Sequence, residues 1–122
     1  MKMFLVLGAL LMASAVAIGA FGAHGLKGKM SAEMMQVYQT GVEYHFYHAL
    51  GVLLVGVIIG FYPQASGVHW AGWLLTLGVL LFAGSLYALS LTGIKVLGAI
   101  TPIGGVAFIA GWLTLAISLY RQ

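Results

Sequence analysis

The segment GVEYHFYHAL, residues 41–50, brings an acid and two histidines together at the start of an apolar run. It contains Glu43, one of two acids in the chain, and His45 and His48, two of its four histidines. Histidine titrates near neutral pH and binds metal ions and haem iron. Two histidines three residues apart beside a carboxylate are compatible ligands for zinc or iron. Because this spacing is not specific to metal sites, metal binding by His45 and His48 is one hypothesis among several.

The composition indicates an integral membrane protein and excludes several functions. Of the 122 residues, 62% are hydrophobic and 6% are charged, whereas a soluble domain carries about 25% charged residues. The absence of cysteine excludes disulfides and thiolate metal sites. The five Lys and Arg residues are scattered, so the expected partner is the lipid bilayer and not nucleic acid. No phosphate-binding loop or Ser/His/Asp set is evident, so we do not expect an enzyme.

The lengths of the apolar runs predict an all-α bundle in a single transmembrane domain, residues 1–122. A membrane span needs about 20 predominantly apolar residues. Counting on that basis predicts four transmembrane helices, at about 3–23, 43–62, 70–91 and 102–121. The first run is uncharged over 21 residues, which is long for a signal peptide, so we interpret it as a retained helix.

The second span depends on the segment 41–50. Its purely apolar part, residues 49–62, has 14 residues, too few to cross about 30 Å of hydrocarbon. Counting back from residue 62 to a length of 20 residues reaches Glu43. Glu43 is then expected near the headgroups, with His48 about 7 Å deeper in the membrane.

Two connections carry further signals. Ser31 is a typical N-cap, so a short interfacial helix is expected in the first loop, with a bend at Gly41 before the second span. Thr101 and Pro102 predict the start of the fourth span, with Thr101 as its N-cap. For residues 93–100 two alternatives stay open, an interfacial loop or an extension of the fourth helix.

The four spans place several polar side chains at the same end of the bundle, and we predict a ligand-binding pocket there. Its candidate residues are His24, Glu43, Tyr44, His48, Tyr87 and Thr101. Tyr44 and His48 share a helical face with Gly41, which permits close helix approach, so His48 is expected to meet His24 just inside one membrane face. Alternatively these groups are structural: His24 caps its helix, His48 makes one interhelical hydrogen bond, and Glu43 faces the headgroups.

Small residues at four-residue spacing predict close packing of helices in lipid. The candidate packing glycines are Gly19, Gly56, Gly60, Gly84, Gly104, Gly105 and Gly111. Gly56 and Gly60 are also candidates for an outward-facing pair that supports self-association. Gly104 and Gly105, which follow Pro102 closely, alternatively loosen the fourth helix beside a bound ligand.

Four motifs are similar to those of the YgdD/YwdK family of small four-helix bacterial inner-membrane proteins. They are GAFGAHGL at 19–26, QTGVEYHFYHAL at 39–50, LFAGSLYALSLTG at 81–93 and TPIGGVAFIAGW at 101–112. The resemblance covers nearly the whole chain. It implies the fold and a multi-pass location in the cell (inner) membrane, and no established activity. A related sequence has glutamine at the position of His45, so the resemblance does not support a site that needs both His45 and His48.

Together these observations predict a small, non-enzymatic membrane protein that binds a lipid, another hydrophobic molecule or a membrane-protein partner. Assembly of the chain into a homo-oligomer is compatible with this prediction. No cofactor is expected on this interpretation. One alternative is an oligomeric transport or proton-conducting unit with His24, Glu43 and His48 at its entrance. The other is a redox subunit that binds haem, a metal or a quinone. The Lys and Arg residues are nearly balanced between the two ends, so they do not decide orientation.

Overall fold

Five α-helices and two short helical segments make up the structure, a computed structural model that describes residues 2–122. The α-helices are α1 (Lys2–His24), α2 (Ala32–Phe61), α3 (Ser66–Gly78), α4 (Gly84–Thr92) and α5 (Thr101–Tyr120). A π-helical segment, Val79–Ala83, joins α3 to α4, and a 3-10 segment, Lys95–Ala99, precedes α5. No β-strand occurs between residues 2 and 122.

These elements form four antiparallel spans. The third span is α3, the π segment and α4 together, and the fourth is the 3-10 segment with α5. The spans have 23, 30, 27 and 26 residues, and each is long and apolar enough to cross a membrane. The prediction of an all-α bundle with four transmembrane helices is therefore confirmed. Residues 93–100, left open by the sequence, are mainly a 3-10 turn that leads into α5.

Local chemistry explains most of the helix ends. The Ser31 hydroxyl accepts a hydrogen bond from the Met34 N–H at 3.1 Å, as predicted for an N-cap. Gly93 ends α4 with φ of 73°, a left-handed conformation that favours glycine. The prediction that Thr101 is the N-cap of α5 is wrong, because Thr101 is already helical and its hydroxyl lies 2.5 Å from the Ser85 hydroxyl.

The N-terminal part of α2 differs from the expectation. The residues expected to form a separate interfacial helix are the first turns of α2, which continues through Gly41 to Phe61. A Cβ atom on Gly41 would lie 2.9 Å from Cε1 of Tyr87, so glycine at this position admits a neighbouring ring. At about 1.5 Å per residue α2 is about 45 Å long, which exceeds the ~30 Å hydrocarbon thickness and requires tilt or extension beyond it.

α2 and the third span form the centre of the bundle. We compared the fraction of buried residues in the most apolar stretch of each span. This fraction is 44% for α2 and 44% for the third span, but only 17% for α1 and 22% for the fourth span. α1 packs against α2, α5 packs against α3, and α2 also contacts α3, the π segment and α4. α1 and α5 therefore contribute most of the lipid-facing surface.

The α1–α2 register decides how deep the polar residues lie. A Cβ on Gly8 would meet the Leu53 backbone, and Ser14 hydrogen-bonds to His45. Ser14 is twelve residues after Lys2 and ten before His24, about 18 Å and 15 Å along the axis. His45 therefore lies beside the middle of α1, and His48 lies one turn further along α2. α2 begins eleven residues before Glu43, so Glu43 and the histidines lie further along this helix than the sequence predicted.

Four of the predicted packing glycines lie at close helix contacts. A Cβ atom on Gly19 would lie 3.2 Å from Val42, and a Cβ atom on Gly56 would lie 2.9 Å from the backbone nitrogen of Leu5. A Cβ atom on Gly111 would lie 2.9 Å from Leu75. A Cβ atom on Gly104 would overlap the Phe82 backbone. The other three differ. Gly84 has nothing within 4 Å, Gly105 approaches only the Phe82 ring at 3.9 Å, and Gly60 is exposed. Because Gly56 packs against α1, it does not form an outward-facing pair with Gly60.

Gly104 and Gly105 provide a matched test of this packing. We expect Gly104→Ala to reduce the free energy of unfolding by about 1–3 kcal/mol, because its methyl group has no room beside the Phe82 backbone. Gly105→Ala has room and replaces a poor helix former, so it should be neutral or stabilising by up to ~1 kcal/mol. Equilibrium unfolding of both variants in detergent measures the difference. Equal destabilisation would show that helix approach at Gly104 is not the cause.

Candidate functional site

A chain of hydrogen bonds centred on His45 links three helices in the middle of the bundle. Nδ1 of His45 lies 2.8 Å from the Tyr87 hydroxyl on α4, and Nε2 lies 3.1 Å from Oγ of Ser14 on α1. Ser14 Oγ in turn lies 2.8 Å from the carbonyl oxygen of Leu11. His45 itself is only 4% exposed. We call Tyr87, His45 and Ser14 the His45 chain.

The partners determine the direction of each hydrogen bond in the His45 chain. The Leu11 carbonyl can only accept, so the single hydroxyl hydrogen of Ser14 points to it. Ser14 Oγ must therefore accept from Nε2–H of His45. A neutral imidazole has one donor and one acceptor nitrogen, which leaves Nδ1 to accept from the Tyr87 hydroxyl. Every donor hydrogen in the chain is thus engaged within the protein.

A second tyrosine supports Tyr87. The rings of Tyr38 and Tyr87 are 5.3 Å apart, and the Tyr38 hydroxyl donates to the Ile18 carbonyl at 2.5 Å. Both rings occupy space left by glycine, since a Cβ on Gly22 would overlap Tyr38 and one on Gly41 would crowd Tyr87. The glycines of α1 and α2 therefore admit the aromatic side chains that position the His45 chain.

A groove of about 210 Å³ opens beside the His45 chain, between α1 and the third span. The His45 chain forms its floor. Its walls are apolar: Leu11 and Ile18 come from α1, and Val79, Leu80 and Ala83 come from the π segment. Gly84 completes the lining, and a Cβ atom at this position would meet no atom within 4 Å. The groove is therefore an apolar surface cleft with polar groups at its base.

The π segment is the wall opposite α1. A π turn holds more residues than an α-helical turn, so it changes which side chains of the following helix face their neighbours. In this chain the following helix is α4, which supplies Tyr87 to the His45 chain. Such segments inside α-helices occur frequently at functional sites.

His48 has a different environment from His45. It is 7% exposed, its Nδ1 donates to the Tyr44 carbonyl at 2.8 Å, and its ring stacks on Phe108 of α5 at a centroid distance of 3.5 Å. The ring planes of Tyr44 and His48 are also nearly parallel, with centroids 6.0 Å apart. His45 thus hydrogen-bonds to α1 and α4, whereas His48 hydrogen-bonds within α2 and stacks on α5. Within residues 2–122 no three His, Asp or Glu side chains gather in a cluster that could hold a metal ion.

The structure does not bring the predicted pocket residues together as one site. His24 is exposed at the end of α1, about 17 Å along the axis from the level of His48. Glu43 is exposed on the outer face of α2, and Thr101 bonds to Ser85. Tyr44 packs on Phe82 and His48, whereas Tyr87 belongs to the His45 chain. A His24–His48 pair is therefore not formed.

Sequence reasoning missed Ser14 and Tyr38. Ser14 is the only polar side chain between Lys2 and His24, and such a residue inside an apolar span indicates a hydrogen-bond partner on another helix. That signal was available. Tyr38 carried no comparable signal, because it lies before the predicted start of the second span.

Larger hollows lie at the opposite end of the bundle, around the loop between α2 and α3. One of about 370 Å³ is lined by Gln64, Ser118 and Arg121, and another of about 390 Å³ by His69 and Trp70. Neither contains a residue of the predicted pocket.

The four apolar spans and the absence of β-strands in residues 2–122 define an all-helical, multi-pass membrane protein. The chain belongs to the family described as protein of unknown function DUF423, whose model matches residues 18–105. The UPF0382 membrane protein of Staphylococcus haemolyticus is 56% identical to it, and the UPF0382 membrane protein YwdK of Bacillus subtilis is 51% identical. Each comparison covers 99% of this chain and 98% of the relative, which confirms the family resemblance. No solved structure matches the chain.

The two buried histidines should occupy opposite tautomers. His45 is expected to carry its proton on Nε2, because Ser14 accepts there, and His48 on Nδ1, because the Tyr44 carbonyl accepts there. Nitrogen-15 NMR of the imidazole rings in detergent or lipid distinguishes the two forms. The same tautomer at both histidines would contradict the hydrogen-bond directions given above.

Removal of the Tyr87 hydroxyl should weaken the bundle. Tyr87→Phe leaves Nδ1 of buried His45 without a donor, and we expect a loss of about 0.6–2 kcal/mol in the free energy of unfolding. Tyr120→Phe is the control, because Tyr120 is 91% exposed. Unfolding titrations in detergent measure both changes. If the two variants are equally stable, the Tyr87–His45 bond does not hold the helices.

Proposed function

We propose that this protein is a non-enzymatic binding protein for a lipid-like molecule with one hydroxyl group, which lies in the groove between α1 and the third span. The observation that supports the proposal is the His45 chain at the base of an apolar groove, beside the middle of the apolar helix α1. Ionisable and polar groups at that depth are costly, and they tend to mark ligand or ion pathways.

The free hydrogen-bonding capacity of the groove favours a donor on the ligand. The hydrogens of Ser14 and Tyr87 are both engaged inside the protein. Each of the two hydroxyl oxygens keeps a lone pair that can accept a further hydrogen bond. An alcohol satisfies this arrangement, whereas a ketone or a quinone carbonyl brings a second acceptor to a site that already has acceptors.

The size of the groove favours a single chain. Its volume of about 210 Å³ lies below the ~300–1,000 Å³ of typical small-molecule pockets. Its walls are almost entirely apolar. One acyl or isoprenoid chain fits these dimensions better than a ring system such as haem.

The arrangement supports binding more than proton transport. The His45 chain runs from helix to helix at one depth, and it ends at the Leu11 carbonyl. A transport path would require polar groups that follow one another along the bundle axis. Both ring nitrogens of His45 are engaged by protein partners, which suits a positioning role and not proton transfer to a substrate.

A photoreactive long-chain alcohol tests the proposal. We expect a diazirine-bearing long-chain alcohol to label peptides of α1 and of the π segment, and its methyl ether, which lacks the donor, to label them several-fold less. Gly84→Leu should abolish the labelling, because Gly84 lines the groove and its Cβ position is open, so that a larger side chain there takes up groove volume. Ala13→Leu places a leucine on the exposed face of α1, outside the groove, and should change nothing. Mass spectrometry of the labelled peptides gives the measurement.

Two results would contradict the proposal. Equal labelling by the alcohol and the ether would show that the polar floor does not select the ligand. Unchanged labelling in Gly84→Leu would show that the probe binds elsewhere on the lipid-facing surface.

A further inference from the structure

Glu43 occupies a position on α2 that a lipid-facing carboxyl would avoid. The Gly19–Val42 contact places Glu43 beside Ile18 of α1, five residues inside the end of the uncharged run at Ala23. At 1.5 Å per residue this is about 8 Å into the hydrocarbon. Glu43 is nevertheless exposed on the outer surface of the chain. Acidic side chains at such depths normally face a protein interior or pair with another polar group.

The outer faces of the other helices provide the contrast. Near the level of Glu43 the other spans expose apolar side chains, as at Val16 on α1, Leu80 in the π segment and Ile103 on α5, which are 56%, 62% and 60% exposed. On α2, by contrast, Gln39, Glu43 and Tyr47 are all exposed. The polar part of the outer surface is thus specific to α2.

Two of these residues, Glu43 and Tyr47, belong to a longer seam along α2. Its members are spaced alternately four and three residues apart, the spacing of a coiled-coil contact line. The α2 seam consists of Gln36, Thr40, Glu43, Tyr47, Leu50, Leu54, Val57 and Phe61. All of them except Thr40 are exposed. Its first half is polar and its second half is apolar.

We propose that the α2 seam packs against the α2 seam of a second copy of this chain, with both copies in the same membrane orientation. A two-fold axis along the membrane normal makes the two α2 helices parallel, and each seam residue then meets its own copy at the same depth. Glu43 meets Glu43, and two carboxyl groups that share a proton satisfy each other by hydrogen bonds. An unrelated protein would need an acid or amide at the same depth, whereas a second copy supplies one by symmetry.

The surroundings of the α2 seam fit this contact. Beside Glu43 lies a groove of about 230 Å³, whose α1 wall is made by Gly19, Gly22 and Ala23. These small residues leave room for side chains of the second copy next to the carboxyl pair. Further along the seam, Leu50, Leu54 and Val57 supply apolar contacts.

Single cysteines give a direct test, since the chain has no cysteine of its own. Leu50→Cys lies on the α2 seam. Leu10→Cys is the matched control: it also replaces an exposed leucine, and the Ser14–His45 bond places Leu10 and Leu50 at nearly the same depth. Ile109→Cys provides a second control on the exposed face of α5. Each full-length variant is oxidised in native membranes and analysed for covalent dimers.

The expected result is a covalent dimer from Leu50→Cys and little or none from Leu10→Cys and Ile109→Cys. A disulfide requires Cα atoms within about 7 Å, which parallel seams provide and random collisions in the bilayer rarely do. Equal cross-linking at all three positions, or cross-linking only at a control position, would overturn the proposal.

Substitutions of Glu43 in the Leu50→Cys background test the polar pairing. Glu43→Leu should raise the dimer dissociation constant by about threefold to thirtyfold, the range that corresponds to one or two interhelical hydrogen bonds in lipid. Glu43→Gln keeps a side chain that pairs with its own copy, so it should retain the dimer. If Glu43→Leu dimerises as well as the parent, the carboxyl pair does not hold the two copies together. Fluorescence energy transfer in lipid vesicles gives the dissociation constants.

Discussion

A polar group buried in hydrocarbon has no water to hydrogen-bond, so it must find its partners within the protein. This constraint acts on His45, and the helices around it are arranged to meet it. Both ring nitrogens of His45 find partners, one on α4 and one on α1. The bonds connect the central helix to a peripheral helix and to the second half of the third span. Without a hydrophobic driving force between helices in lipid, packing and hydrogen bonds of this kind decide how helices associate.

The glycines make this arrangement possible. Tyr38 and Tyr87 fit only because Gly22 and Gly41 carry no side chain, and α1 approaches α2 closely at Gly8. Close approach and hydrogen bonding therefore depend on each other: the helices must be near enough for Ser14 to reach His45. The π segment contributes to the same end, since it precedes the helix that carries Tyr87.

The two proposals assign different surfaces to different partners. The groove beside the His45 chain lies between α1 and the third span, whereas Glu43 lies on the outer face of α2. A lipid-like ligand and a second copy of the chain would therefore not compete for the same surface. The chemistry also differs, because the groove keeps only acceptor capacity and Glu43 needs a group with which to share a proton.

The sequence by itself determined the class of protein, the four spans and the cap at Ser31, because run length, composition and capping are properties of single segments. It also singled out the histidines and Tyr87. Only the tertiary structure decided the register of α1 on α2, which sets His45 opposite Ser14 in the middle of the bundle and leaves His24 exposed at the end of α1. Register arises from contacts between distant residues, such as Gly8 with Leu53, that no single segment contains. For the same reason, the sequence assigned several polar residues to one end of the bundle but did not reveal which of them are in contact.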